Sequence, residues 1–312
     1  MVIIEWVWNL PLFIEILTQI TLPIIVLVVL GWGARLRLQL SVETLNKLLL
    51  NIILPCFFVH YLSTAKIPLA EVWPTAWFTV LQYLALFLIG WVIAGLVRVP
   101  RETRIIVAIA MAFPNTGNFG IPVAQLAFPA DLLLHQAVIV SLQTVLIVLT
   151  SVLFIMPKNS DRSAWGEVAK NPMIWGVIIG LALKAFGVQL PAIVAKPVEL
   201  ITGAYAALAL FTLGAGLAGG RAHVETGALS IAVVLKLIVS PAVTWGLAFA
   251  FGFRGLDLEF LVVAAAAPVG ILFAIFCLIY EFRPRLVSAM VFVTTVLSPL
   301  SVSAWILITR LY

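Results

Sequence analysis

The sequence predicts an all-α polytopic membrane protein: ten transmembrane helices arranged as two inverted five-helix repeats, with broken helices 4 and 9 crossing near the midplane. Three observations lead there. Hydrophobic residues make up 63% of the 312 and charged residues only 10%, and the mean hydropathy is +1.19. A soluble domain carries roughly 25% charged and 45–50% apolar residues, so lipid is the expected solvent. The apolar residues fall in ten runs that reach or approach the length of about 20 needed to cross hydrocarbon. Finally, prolines interrupt the fourth and ninth runs at Pro114 and Pro268, 154 positions apart and close to half the chain.

The runs lie at about 12–34, 42–62, 73–96, 103–127, 131–156, 171–187, 193–219, 226–250, 258–280 and 285–310. The first opens with Glu5 and Glu15 instead of a basic stretch, and no small-residue cleavage site follows it. It is therefore expected to remain as a span and not to act as a signal peptide. The sixth is the shortest. The polar connection 157–170, with Lys158, Asp161, Arg162, Glu167 and Lys170, separates residues 1–156 from residues 171–312. Each half holds five runs, the third and eighth beginning 153 apart and the fifth and tenth 154 apart. Five is odd, so the second half enters from the opposite side, which is an inverted-topology repeat and a common carrier plan.

The net charge of +5 does not point to nucleic acid, because the basic residues sit in short loops between apolar runs. Arg35, Arg37, Lys47, Arg98, Arg101, Arg104, Lys158, Arg162, Lys170, Arg221, Arg283 and Arg285 fall on one side. Lys66, Lys184, Lys196, Arg254 and Arg310 fall on the other. The basic side is expected to be cytoplasmic, which puts both termini outside, in a plasma (bacterial inner) membrane.

The fourth run contains Pro114-Asn115-Thr116-Gly117-Asn118-Phe119-Gly120-Ile121-Pro122, and the ninth contains Pro268-Val269-Gly270. Proline removes a backbone donor and clashes with the preceding turn. Two prolines flanking two glycines are expected to unwind the helix, which is tolerated at membrane depth only where protein or water satisfies the backbone. The half-helix N-termini would favour an anion, and Asn115, Asn118 and Thr116 add neutral hydrogen-bonding groups. The alternative is a proline-kinked helix whose amides cap only its own freed groups.

Lys236 is the one basic residue deep in a run, either a countercharge or a structural lysine bonded to carbonyls, the second being favoured. His60 and Glu15 read as residues near span ends. Trp73, Trp77, Trp91, Trp165, Trp175 and Trp305 read as interfacial anchors, and Cys56 and Cys277 as free buried cysteines. No Asp or Glu lies at the centre of a run, which argues against a carboxylate proton relay. Uniport, Na⁺ coupling and a proton carried on the substrate stay open. Neither a phosphate-binding Gly-x-x-x-x-Gly-Lys-Ser/Thr loop nor a catalytic triad or zinc motif is present, so an enzyme is not expected.

Pro114-Asn115-Thr116 followed by Gly120-Ile121-Pro122 resembles the fourth-span crossover motif of the auxin efflux carrier family, whose plant branch is the PIN-type carriers. Leu45-Asn46-Lys47 through Asn51-Ile52-Ile53-Leu54-Pro55 resembles that family's second span, and Lys170-Asn171-Pro172 the start of its sixth. Leu208 to Gly214 resembles the seventh, Leu235-Lys236-Leu237 with Pro241 the eighth, and Ala266-Ala267-Pro268 through Tyr280 the ninth. The similarity is collinear over nearly the whole chain, as in a bacterial relative within the bile-acid-transporter-like superfamily.

The resemblance implies scaffold and transport domains, each assembled from both repeats, and a substrate site at the crossing of helices 4 and 9. It implies organic anions, auxin-like or dicarboxylate-type, moved by alternating access. The implied binding set is Asn115, Thr116, Gly117, Asn118, Gly120, Pro55, Phe57, Gln143, Leu213, Pro268, Val269 and Gly270, with Asn115 on the substrate carboxylate. The long central loop of many plant members is missing, and Pro268-Val269-Gly270 has no amide-bearing neighbour, so the two arms differ chemically. The expected activity is secondary transport of a small organic anion. A sodium or proton exchanger of the same fold and a non-transporting receptor are the alternatives. No cofactor is expected, and a homodimer stays open as the assembly.

Overall fold

The computed structural model describes residues 10–64, 68–156, 172–218 and 225–311. In chain order its helices are α1 (Ile14–Leu38), α2 (Val42–Thr64), α3 (Ala70–Leu96), α4 (Arg101–Ala112), α5 (Ile121–Ala127), α6 (Leu132–Phe154), α7 (Pro172–Ala185), α8 (Ala192–Gly203), α9 (Tyr205–Leu217), α10 (Thr226–Ala250), α11 (Gly255–Ala266), α12 (Ile271–Ile279) and α13 (Pro284–Leu311). Among the described residues, α1, α2, α3, α6, α10 and α13 are each long and apolar enough to cross a membrane. The pair α8 and α9, bent by 41°, would make a seventh. The chain is thus an α-helical, multi-pass membrane protein. The polar connection 157–170, Lys66, Arg221, Glu5 and Trp165 lie outside the described residues.

Proline shapes these helices in a repeated way. Wide π turns occupy Leu17–Thr21, Leu49–Ile53, Thr116–Gly120 and Leu235–Val239. Each is followed two residues on by a proline: Pro23, Pro55, Pro122 and Pro241. A proline ring would collide with the carbonyl four residues back. Widening the turn moves that carbonyl aside, so the helix continues past the proline. Pro74, Pro197 and Pro299 lie inside helices without such a turn.

The widened turns leave carbonyls to satisfy, and side chains do so. In α10 the Leu237 carbonyl accepts from Ser301 Oγ at 2.8 Å and from Trp305 Nε1 at 3.0 Å. Trp305, expected at a membrane interface, is instead half-buried between α10 and α13 and stacks edge-on against Trp245. The buried carbonyl recruited its indole N–H. Trp73 and Trp77 are exposed, as anchors would be. Both cysteines are free, Cys56 half-buried and Cys277 buried.

Packing divides the helices into two groups. In one, α1 lies on α9 and α2 on α7 and α8; in the other, α3 packs on α4 and α6, α10 on α11, and α11 on α13. Close approach relies on glycine. A Cβ on Gly31 would come within 1.9 Å of the Phe211 carbonyl oxygen, and one on Gly214 within 1.9 Å of that of Val28. Outward-facing residues such as Val29, Leu30, Leu84, Leu88 and Leu300 leave apolar faces uncovered, as suits lipid contact. Two polar pairs join neighbouring helices: Gln82 donates to Thr244 at 2.7 Å and Tyr83 to Thr150 at 2.9 Å, as interhelical bonds do in lipid.

Candidate functional site

The two proline breaks meet. The residue before a proline is pushed toward extended backbone, and both do extend: Phe113 before Pro114 has ψ 92°, and Ala267 before Pro268 has ψ 150°. Pro114 and Val269 then pair as an isolated antiparallel bridge. The Asn115 N–H donates to the Pro268 carbonyl at 2.7 Å and the Gly270 N–H to that of Phe113 at 3.0 Å. The Val269 N–H is taken by Thr294 Oγ1 on α13 at 3.0 Å. Each unwound segment thereby supplies the hydrogen bonds that the other lost. Gly270 has to be glycine for this, because a Cβ there would meet the Phe113 ring at 2.3 Å.

Beside the bridge lies a cleft between the two helix groups. Asn115, Thr116, Gly117, Asn118 and Gly270 line it, together with Leu50, Leu54 and Met173 from the opposite group. Residues 116–118 open the turn that runs into α5, and residues 271–272 open α12. The first N–H groups of a helix have no partner within it. Two positive helix ends therefore face one cleft.

The side chains around it are fixed from behind. Thr116 Oγ1 donates to Gln143 Oε1 at 2.7 Å, and Gln136 Nε2 donates to the Thr116 carbonyl at 2.7 Å. The hydroxyl of Tyr205, a fully buried residue, donates to Asn118 Oδ1 at 3.2 Å, which turns the Asn118 amide nitrogen away from the tyrosine. Asn115 is the exception: it is 6% exposed, and its Nδ2 has no partner. A buried amide with a free donor costs stability unless something accepts from it. Among the described residues, none that lines the cleft is titratable.

The other expected residues are placed differently. Gln143 touches the site only through Thr116. Pro55 packs on α7, where a Cβ on Gly176 would meet it at 2.7 Å. Phe57 is fully buried in an aromatic column with Tyr61 at 4.5 Å and Tyr205 at 5.3 Å. Leu213 belongs to the core beside α1. Gly120 lines a separate, smaller cavity with Gln136. Pro268 and Val269 serve the bridge through their backbone. Lys236 lies behind the bridge and bonds carbonyls.

Sequence reading missed Gln136, Tyr205 and the Glu259–Arg310 pair. Gln136 carried a signal, as an amide seven residues before Gln143 in the same apolar run. Tyr205 carried none, because its importance comes from the bend between α8 and α9 that aims it at Asn118. Glu259 is nearly buried and accepts from Arg310 Nε at 2.9 Å, while Arg310 Nη2 reaches the last carbonyl of α5, Ala127, at 3.5 Å. These partners are 51 and 183 positions away in sequence.

The chain is similar to known membrane transport proteins. The family model described as membrane transport protein matches residues 16–306. A probable auxin efflux carrier component 1b of Oryza sativa is 30% identical over 151 residues, which is 46% of this chain and 27% of the rice protein. Auxin efflux carrier component 1 of Arabidopsis thaliana is 26% identical over the same number of residues. An uncharacterized transporter of Methanothermobacter thermautotrophicus is 25% identical over 301 residues, 92% of this chain and 97% of its own. The chain spans about a quarter of the length of the plant relatives it matches. With a match over nearly its whole length, the chain belongs to the membrane transport protein family, that of the auxin efflux carriers.

Proposed function

We propose that this protein is a secondary carrier of small organic anions, auxin-like or dicarboxylate-type, which works by alternating access at the paired breaks. One observation carries the reading: two helix N-termini and the unpaired Asn115 amide converge on a single cleft that holds no carboxylate. Positive helix ends and neutral donors stabilise an anion and offer nothing to relay a proton.

In this reading the chain crosses a plasma membrane ten times, with α4 and α5 as the fourth crossing, α11 and α12 as the ninth, and both termini outside. The helix starts Ala70 and Thr226, Arg101 and Gly255, and Leu132 and Pro284 lie 156, 154 and 152 positions apart, similar spacings that support two inverted repeats crossing near the midplane. The group containing α1, α2 and α9 is the scaffold. The group built around the breaks moves against it and carries the cleft from one side to the other.

Purified protein in liposomes is expected to exchange or release a radiolabelled carboxylate from a panel of aromatic and aliphatic acids, with flux that saturates. Flux of Na⁺ or protons without any organic solute would instead favour an exchanger. Tyr205→Phe is expected to raise the KM about fivefold while leaving kcat within about twofold, since a lost neutral hydrogen bond is worth about 1 kcal/mol. The Asn118 amide would then be free to turn its oxygen toward the anion. An unchanged KM would remove Tyr205 from this role.

A further inference from the structure

At the turn between α3 and α4 the chain keeps an arginine where glycine is the ordinary choice. Helix α3 ends in a left-handed cap: Arg98 has φ 60°, its N–H donates to the Gly95 carbonyl at 3.1 Å, and the Val99 N–H donates to that of Ala94 at 3.3 Å. Glycine takes this conformation without steric cost, and a residue with a side chain does not. Arg98 is exposed and pairs with no carboxylate among the described residues, so nothing in the fold calls for its side chain. Arg101 and Arg104 follow at three-residue steps, and residues three apart on a helix are neighbours. Arg101 is exposed as well. Arg104 is held in place. Its Nε donates to the Trp91 carbonyl at 2.7 Å, and its guanidinium carbon stands 4.3 Å from the centre of the Trp91 ring. The same group lies across Gly95, where a Cβ would meet it at 2.6 Å. Its two Nη groups have no partner among the described residues. Glu102, the one carboxylate in this stretch, is exposed and pairs with none of the three. Arg283, on the same basic side, differs: it pairs with Glu225 and donates to Thr103.

Next to the arginines, α3 and α6 present aromatic surface. Trp91 stacks on Phe87 with ring centres 6.3 Å apart, and Phe87 lies 5.3 Å from Phe154. Leu88 and Leu153 beside them are exposed. Tryptophan sits at the headgroup level of a bilayer, and exposed leucines face its acyl chains. A guanidinium matches a phosphate through paired N–H donors. We infer that Arg98, Arg101 and Arg104 hold the headgroup phosphate of an anionic phospholipid in the leaflet on the basic side, with its acyl chains along Phe87, Trp91 and Phe154. A fixed guanidinium, two unpaired arginines and an apolar aromatic strip together fit an amphiphile with an anionic head; a soluble anion has no use for the strip. None of these residues lines the cleft, and the inference does not rest on the carrier reading.

The test titrates detergent-solubilised full-length protein with phosphatidylglycerol, with phosphatidylcholine of the same acyl chains, and with inorganic phosphate, and reads the melting temperature. Phosphatidylglycerol is expected to raise it by several degrees and to saturate, because a ligand that binds only the folded state raises its stability. Phosphatidylcholine and phosphate are expected to leave it unchanged. Arg98→Gly suits the left-handed cap, so this variant is expected to melt no lower than wild type without lipid, yet to need several-fold more phosphatidylglycerol for half of the rise. Arg101→Gln is expected to show the same loss. Both positions are exposed, so neither change threatens the fold. Arg37→Gln, at an exposed arginine in the last turn of α1, is expected to respond like wild type. An equal rise with phosphatidylcholine would reveal a general lipid effect, and a rise with phosphate alone a site for free anions. An equal loss in Arg37→Gln would reveal attraction to charge anywhere on the basic side. Each of these results would overturn the inference, as would Arg98→Gly and Arg101→Gln proteins that respond to phosphatidylglycerol like wild type.

Discussion

Asn115→Ala is expected to lower carboxylate flux about 10- to 100-fold without unfolding the protein, since a hydrogen bond to a charged partner is worth about 1.5–3 kcal/mol. The asymmetry between the two effects is the point of the test. Within the protein the Asn115 Nδ2 is buried and unpaired, so its removal loses no hydrogen bond and relieves a desolvation cost. The bridge does not depend on it, because the bond to the Pro268 carbonyl comes from the Asn115 backbone. With an anion in the cleft, the same N–H becomes a charge-assisted donor in surroundings where water competes poorly. Asn115→Asp is expected to be worse than alanine, since it places a carboxylate where the substrate carboxylate would sit. Flux in proteoliposomes and a melting curve together check both halves. An alanine variant that transports like wild type would sink the assignment. One that loses flux only because it melts far lower would show that Asn115 is structural.

Much of this site could be read from the chain because proline acts locally. Pro114 and Pro268 each force the preceding residue into extended backbone, so the breaks had to fall at Phe113 and Ala267. Apolar run length placed the long helices for a similarly local reason. What the sequence could not supply was the partner of each feature. Nothing near Pro114 announces that its lost hydrogen bonds are made good by Pro268 and Val269. Nothing near Lys236 announces carbonyls from two other helices, although its burial made it a candidate. Pro55 and Phe57 show how a helix's rotation escapes the sequence. Both lie on α2, just after the π turn at Leu49–Ile53. Leu50 and Leu54 line the cleft, and Pro55 turns toward α7.

Gly214→Ala is expected to be the most damaging single change, at a cost of about 3 kcal/mol or roughly 10 °C in melting temperature. In lipid there is little hydrophobic drive between helices, so association depends on close packing at small residues. The α1–α9 contact has a reciprocal pattern. Gly31 lies against the Phe211 carbonyl, and Gly214 against that of Val28. At either position an added methyl carbon would sit 1.9 Å from a backbone oxygen, and no rotamer change can move a backbone oxygen. The helices must separate by more than 1 Å to reach an ordinary contact near 3.3 Å, which loosens packing along the whole seam. The same helix supplies the control. A Cβ on Gly216 would meet only Val42 Cγ1, at 3.9 Å, so Gly216→Ala is expected to be neutral or to stabilise by about 0.5–1 kcal/mol through helix propensity. The two variants differ by two positions and one methyl group each, yet their effects should have opposite signs. Melting curves in one detergent would show it. If Gly214→Ala were as stable as wild type, α1 and α9 could not approach this closely in the membrane, and the scaffold that the moving group works against would have to be assembled differently.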